Sequence, residues 1–242
     1  MATTAPPFTG FRREAIQFLA DLAEHNDRAW FQPRKADYER LLKEPLEALV
    51  AALAERFADR GLPLLADPRR STFRIYRDTR FSKDKSPYKT NVGASFPWLG
   101  RATGGVEADA GSGDDGAHGN GGYFHFQPGQ MYFGGGMWMP DRSRLVRLRE
   151  AVVTDPDTVR AALEDSGFLA VFGPVRSHEY LKRVPPGYPA DHELVDLLRA
   201  KDLVFGRPLA DDETLSQSLP DVLADGFAAA VPVFRFLSSL AD

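Results

Sequence analysis

The sequence predicts an α+β fold, an antiparallel sheet covered by N- and C-terminal helices. Three observations carry that prediction. Apolar residues recur at helical spacing near both ends of the chain. Segments that alternate with period 2 cluster between residues 71 and 137. No segment repeats another, and strands do not alternate regularly with helices as they would in a parallel α/β fold. The chain has 242 residues, 43% hydrophobic and 26% charged, enough to bury a sizeable core.

In chain order, residues 1–7 read as a loose tail and 8–240 as a single domain. Phe11, Ala15, Phe18, Leu19 and Leu22 place an amphipathic helix over Phe11–Glu24. Asn26 or Asp27 is suited to cap the next helix, with Trp30 and Phe31 as anchors. A helical segment is expected from Pro33 to Leu42, and Pro45 breaks it or starts another. The helix after Pro45 has Leu46, Leu49, Val50, Leu53 and Phe57 as its inner stripe, and Gly61 with Pro63 stops it.

Strand patterns occur near 71–78, 90–96, 123–127 and 130–137, the last two forming a hairpin around Pro128-Gly129. Residues 100–122 are mostly Gly, Ala, Asp and Ser and read as a flexible loop between strands. Helices return after Asp141, with Leu145, Leu148 and Val152 inward, and again from Pro156 to Gly167. A further helix spans about 191–201 and leads to a strand. The C-terminal stretch makes one helix, or two separated near Pro232.

Composition removes several function classes. With no cysteines, disulfides, thiolate nucleophiles and cysteine-ligated metals are out. No run approaches the ~18 apolar residues of a membrane span. The N-terminus lacks a charged region followed by an apolar one, so no secretory signal is expected and a cytoplasmic location is the default. A pI near 5.8 disfavours wholesale nucleic-acid binding. The histidines lack metal-ligand spacing, and neither G-x-x-x-x-G-K-[ST] nor G-x-G-x-x-G occurs, so neither metal nor cofactor is expected.

One stretch departs from this ordinary background. Residues 69–89 hold eight cations (Arg69, Arg70, Arg74, Arg77, Arg80, Lys83, Lys85, Lys89) and two acids (Asp78, Asp84). That is 8 − 2 = +6 in a chain of net charge −4. Read as a strand, it puts Thr72, Arg74, Tyr76, Asp78 and Arg80 on one face. Phe73, Ile75, Arg77, Thr79 and Phe81 fall on the other, with Phe73, Ile75 and Phe81 as core. Arginine forks bind carboxylate or phosphate bidentately, and Asp78 is placed to hold those of Arg74 and Arg80. Arg77 either pairs with an acid or sits at the frayed end of the strand. Asp84 has Lys83, Lys85 and the arginines within reach. A blander reading stands beside the anion site, in which the charges only lace strand to loop.

The stretch resembles the hallmark R-x-x-R-D-x-R-F-x-x-x-[D/N]-K-x-x-Y of domain of unknown function 2461. Its residues here are Arg74, Arg77, Asp78, Arg80, Phe81, Asp84, Lys85 and Tyr88. Eight set positions match by chance in a chain of this length less often than roughly one time in a million. "FLADLAEHNDRAWF", "PYKTNVGASF", "GGYFHFQPGQMYFGGGMWMP" and "LKRVPPGYPADHELVDLLRAKDL" are similar to the family's recurring blocks. The resemblance covers most of 8–240 and implies a mostly bacterial family with no established activity. Loop 100–122 is longer and richer in Gly and Asp than the family pattern.

The expected ligand site comprises Arg74, Arg77, Asp78, Arg80, Asp84, Lys85 and Tyr88, facing a small phosphate- or carboxylate-bearing ligand. His125 shares a strand face with Tyr123 and Gln127. With Tyr88 it is the candidate acid or base if the protein is an enzyme, which the sequence leaves open. The alternatives are a single-stranded nucleic-acid module, with Lys83, Lys85 and Lys89 on phosphates and Tyr76, Tyr88 or Trp98 on bases, and a structural protein laced by the motif. His178, beside Glu179, is a weak signal. Oligomeric state is not legible.

Overall fold

The computed structural model describes residues 6–80, 82–100 and 119–240. Helix α1 (Arg13–Glu24) buries Ala15, Phe18, Leu19 and Leu22, the predicted stripe. Asp27, not Asn26, caps α2 (Arg28–Phe31) by accepting the Trp30 N–H at 2.8 Å. The predicted helix over 33–42 proves heterogeneous. A 3-10 turn (Gln32–Arg34), α3 (Lys35–Tyr38) and a π-turn (Glu39–Lys43) lead into α4 (Glu44–Asp59). Pro45 explains the π-turn. It has no N–H to donate back, so a wider turn lets the chain pass without breaking. Helix α4 buries Leu46, Leu49, Val50, Leu53 and Phe57 and stops before Gly61, whose φ is +61°.

The four-stranded antiparallel sheet has the order β1 (Val92–Pro97), β2 (Gly119–Phe126), β3 (Tyr132–Trp138), β4 (Leu203–Pro208). Most of the predicted loop 100–122 lies outside the described residues. Its last four residues, however, are strand, because Gly119–Gly122 are paired with β3 on one side and, for Gly121 and Gly122, with β1 on the other.

The predicted strand near 71–78 is a correction. A short turn, α5 (Pro68–Ser71), precedes an extended segment joined to 87–94 only by the bridges Thr72↔Ala94 and Tyr76↔Tyr88. Four residues separate the bridges on one side (76 − 72) and six on the other (94 − 88). The two extra residues bulge and prevent a regular ladder. The alternation survives in part: Ile75 is buried and Arg74 and Tyr76 are exposed, but Phe73 is only partly buried. Phe81, expected in the core, lies outside the described residues.

The connection from β3 to β4 holds α6 (Arg142–Thr154), α7 (Pro156–Leu163), α8 (Ser166–Phe172) and α9 (Val195–Arg199). Two predicted helices are corrected here. The one over 156–167 is two, because the Asp165 carboxylate accepts the Phe168 N–H and starts α8. The one over 191–201 shrinks to 195–199. Buried Arg149 of α6 donates to the carbonyls of Leu198 (2.9 Å) and Ala200 (3.2 Å), serving backbone acceptors at the end of α9. After β4 come α10 (Asp211–Leu215), α11 (Leu219–Ala229) and α12 (Val231–Ser239), the last two bent by 53° just before Pro232. No single described helix is long and apolar enough to cross a membrane.

The core lies on one sheet face. Phe96, Phe133 and Phe205 meet Phe57, Phe168, Phe227 and Phe234 from the helices, with ring centroids 5.0–5.9 Å apart, and Phe124 stacks on Phe11 at 6.1 Å. Both long edges carry extra pairing, Leu64↔Trp98 beside β1 and Arg176↔Val204 beside β4. The run Gly134-Gly135-Gly136 reflects how tightly β3 packs against its neighbours. A Cβ on Gly134 would lie 2.1 Å from the Phe205 carbonyl oxygen, and one on Gly135 2.3 Å from that of Gly121. Gly134→Ala is therefore expected to cost ~1–3 kcal/mol by forcing strands apart. Urea denaturation checks this, and a variant as stable as wild type would contradict the packing argument.

Candidate functional site

The hairpin 72–94 is anchored from below by α1 and α2. Asn26, at their junction, donates from Nδ2 to the Tyr88 carbonyl (2.9 Å) and accepts the Tyr88 N–H at Oδ1 (3.0 Å). Its amide thus grips both backbone groups of one residue. The Tyr88 ring is 1% exposed and stacks on Phe31 at 4.1 Å. Its hydroxyl is 3.5 Å from Gln32 Nε2. Tyr88 is an interior anchor, and its neighbour Tyr76, 5.6 Å away, is the exposed ring.

Above the anchor the motif pairs internally. Arg80 donates from Nε and Nη2 to both oxygens of Asp78 (3.0 and 2.6 Å), and its own backbone N–H reaches the same carboxylate at 3.0 Å. These hydrogen bonds hold the Asp78 carboxyl well below its ordinary value, at about 2. Arg77 is ion-paired with Asp84. The Ser86 hydroxyl, then Arg77, hold the Asp84 carboxyl below the usual carboxylate range. Lys85 Nζ donates to the Thr79 carbonyl at 2.8 Å and closes the loop. The Arg80 side chain is still 77% exposed. Arg74 is exposed too, and its charge also acts on Asp78.

His125 belongs to a different surface, the sheet face turned away from the phenylalanine core. Gln127 Oε1 accepts from His125 Nε2 (3.1 Å), which leaves Nδ1 to accept the Tyr123 hydroxyl (2.8 Å). Tyr132 stacks on the imidazole at 4.8 Å and its ring lies 5.8 Å from that of Tyr123. Burial lowers the His125 pKa and raises those of Tyr123 and Tyr132, so all three are neutral near pH 7. Phe73, 6.0 Å from Tyr123, and Gly93, paired with His125 across β1 and β2, connect the cationic hairpin to this cluster. The structure thus joins Arg77, Asp78, Arg80, Asp84 and Lys85 in one loop, sets Tyr88 beneath it and places His125 apart.

Sequence reasoning missed the roles of Asn26, Tyr123 and Tyr132. Asn26 looked like a helix cap, and its partner is 62 residues away. Tyr123 was legible through alternation with His125, whereas Tyr132 needed the cross-strand register His125↔Tyr132. No group of three His, Asp or Glu among the described residues is arranged to hold a metal.

Fold and site together define an α+β protein that displays a self-paired Arg/Asp hairpin on the edge of an antiparallel sheet. The chain belongs to the family described as a conserved hypothetical protein (DUF2461), whose model matches residues 14–236. No curated protein and no solved structure matches it.

The clamp and the Asp78–Arg80 pair can each be tested. Asn26→Ala leaves a backbone donor and acceptor unserved and is expected to cost ~1–3 kcal/mol in urea denaturation. Because the folded pKa of Asp78 is depressed, its contribution is present above the unfolded value of ~3.9 and fades as pH falls toward about 2. Carbon NMR of the Asp78 carboxyl should titrate near about 2 in wild type and return toward ~3.9 in Arg80→Ala. Equal midpoints in the two proteins would contradict the pairing.

Proposed function

We propose that this chain binds a small anionic ligand, bearing phosphate or carboxylate, on its cationic hairpin. One observation carries the reading. Both acids of residues 69–89 are engaged by Arg77 and Arg80, yet the stretch as a whole still carries 8 − 2 = +6. The Arg80 fork is exposed while its orientation is held by Asp78, so an incoming anion would meet a guanidinium that loses little further freedom. Arg74, Arg80 and Lys85 are the ligand contacts, Tyr76 is the adjoining ring, and Arg77 with Asp84 stiffens the loop. Enclosure of Tyr88 argues against its touching a ligand, and no reaction is proposed at the hairpin.

A second reading has support of its own. The pairs Arg77–Asp84 and Arg80–Asp78 and the bond from Lys85 to Thr79 also suit a hairpin laced only for stability. Thermal shift separates the two. Inorganic phosphate, phosphate monoesters and small carboxylates are titrated into wild type and Arg74→Ala. A ligand at ~100 times its Kd adds about 2.7 kcal/mol of stability. The expected result is stabilisation of wild type by at least one of these anions, weakened in Arg74→Ala. Equal response in both proteins, or none in wild type, favours lacing alone.

A further inference from the structure

Among the described residues of 69–89, one aromatic ring stands open. Tyr76 is 45% exposed, while Phe73 is partly buried and Tyr88 enclosed. The ring is fixed from behind. The Arg77 N–H donates to the Pro87 carbonyl (3.0 Å) and the Lys89 N–H to the Ile75 carbonyl (2.7 Å), so Tyr76 and Tyr88 form a non-hydrogen-bonded antiparallel pair. Such partners share a face. The Tyr76 ring rests 5.6 Å from the Tyr88 ring, which Asn26 and Phe31 hold in place. An exposed ring backed by an immobile one loses little freedom when it stacks on a ligand.

Cations flank this ring. Exposed Arg74 is two residues away, so its Cα lies within ~7 Å of that of Tyr76 in any conformation. On the other side Asp78 holds the Arg80 fork and also feels the Arg74 charge, which gathers both cations and the ring into one short stretch. Beside Tyr76 a second phenol is left over. Tyr38 of α3 is 8% exposed and packs on Phe31 (5.6 Å) and Phe18 (6.4 Å). Burial first, and then Glu47, Tyr76 and Glu39, raise its pKa, which sets its hydroxyl between Tyr76 and the start of α4. That hydroxyl has no hydrogen-bond partner among the described residues. Polar groups so deeply placed are normally served.

We propose that the ligand of the cationic hairpin is a nucleoside monophosphate, an inference that rests on the anion site proposed above. Its phosphate meets Arg74 and Arg80, its base stacks on Tyr76, and the Tyr38 hydroxyl serves a polar atom on the base edge. The ribose spans the gap between cation and ring. A nucleic-acid strand would call for a row of open rings, and the described hairpin offers one.

Calorimetric titration of the full chain with inorganic phosphate, ribose 5-phosphate and AMP is the test. AMP is expected to bind wild type roughly tenfold more tightly than ribose 5-phosphate, the worth of one base–aromatic stack. Tyr76→Ala should bring AMP down to the level of ribose 5-phosphate, and Tyr38→Phe should weaken AMP alone. Unchanged binding of ribose 5-phosphate shows in each variant that the hairpin is intact. AMP affinity no higher than that of ribose 5-phosphate, or undiminished in Tyr76→Ala or Tyr38→Phe, overturns the nucleotide inference while the anion site stands. If none of the three ligands binds, the anion site itself falls and the inference with it. An oligoadenylate bound far more tightly than AMP overturns it in favour of a nucleic-acid strand.

Discussion

The cationic hairpin depends on one clamp. A run carrying +6 repels itself and would not stay compact on its own. Asn26 ties it down with two hydrogen bonds to Tyr88, and the Tyr88 ring packs on Phe31 inside the helical layer. Because the partners are 62 residues apart, the clamp also joins the first helices to the edge of the sheet. Charge can then be displayed outward, since apolar packing beneath it does the holding. The two acids act within that frame, Asp78 aiming Arg80 and Asp84 fastening Arg77.

The sheet divides the labour between its two faces. One is filled by phenylalanines from strands and helices. The other carries hydrogen-bonded aromatic and imidazole groups, Tyr123, His125 and Tyr132 at one end and the His178–Asp202 pair beside Trp138 at the other. Along β3 the two ends are six residues apart, ~20 Å at strand rise. Between them the strand is Gly134-Gly135-Gly136, and adding a Cβ to Gly134 or Gly135 would strike a neighbouring carbonyl. The same tight packing that demands glycine leaves β3 itself without side chains over that stretch.

Much of this was legible in the sequence because it is local. Helical spacing located α1 and α4, period-2 alternation located β1 to β3, and Pro128-Gly129 located the hairpin of β2 and β3. Alternation also put Ile75 inward and Arg74 outward. The failures depend on register between distant residues. The strand near 71–78 lost its regularity to a two-residue slip against 87–94, which no propensity reveals. Tyr88 looked like a ligand contact because tyrosine is amphipathic, and only the position of Phe31 shows it to be core. The Asp202–His178 pair joins residues 24 apart, so "HE" in the sequence carried little signal.

The central claim is that the anchored hairpin, and not the buried tyrosine beneath it, receives an anion. Titration with inorganic phosphate, monitored by NMR of arginine Nε–H and lysine side-chain signals, tests it most directly. The account predicts saturable shifts at Arg74, Arg80 and Lys85, with the Tyr88 ring signals unmoved. Shifts that fail to saturate, or that are centred elsewhere on the molecule, would contradict it.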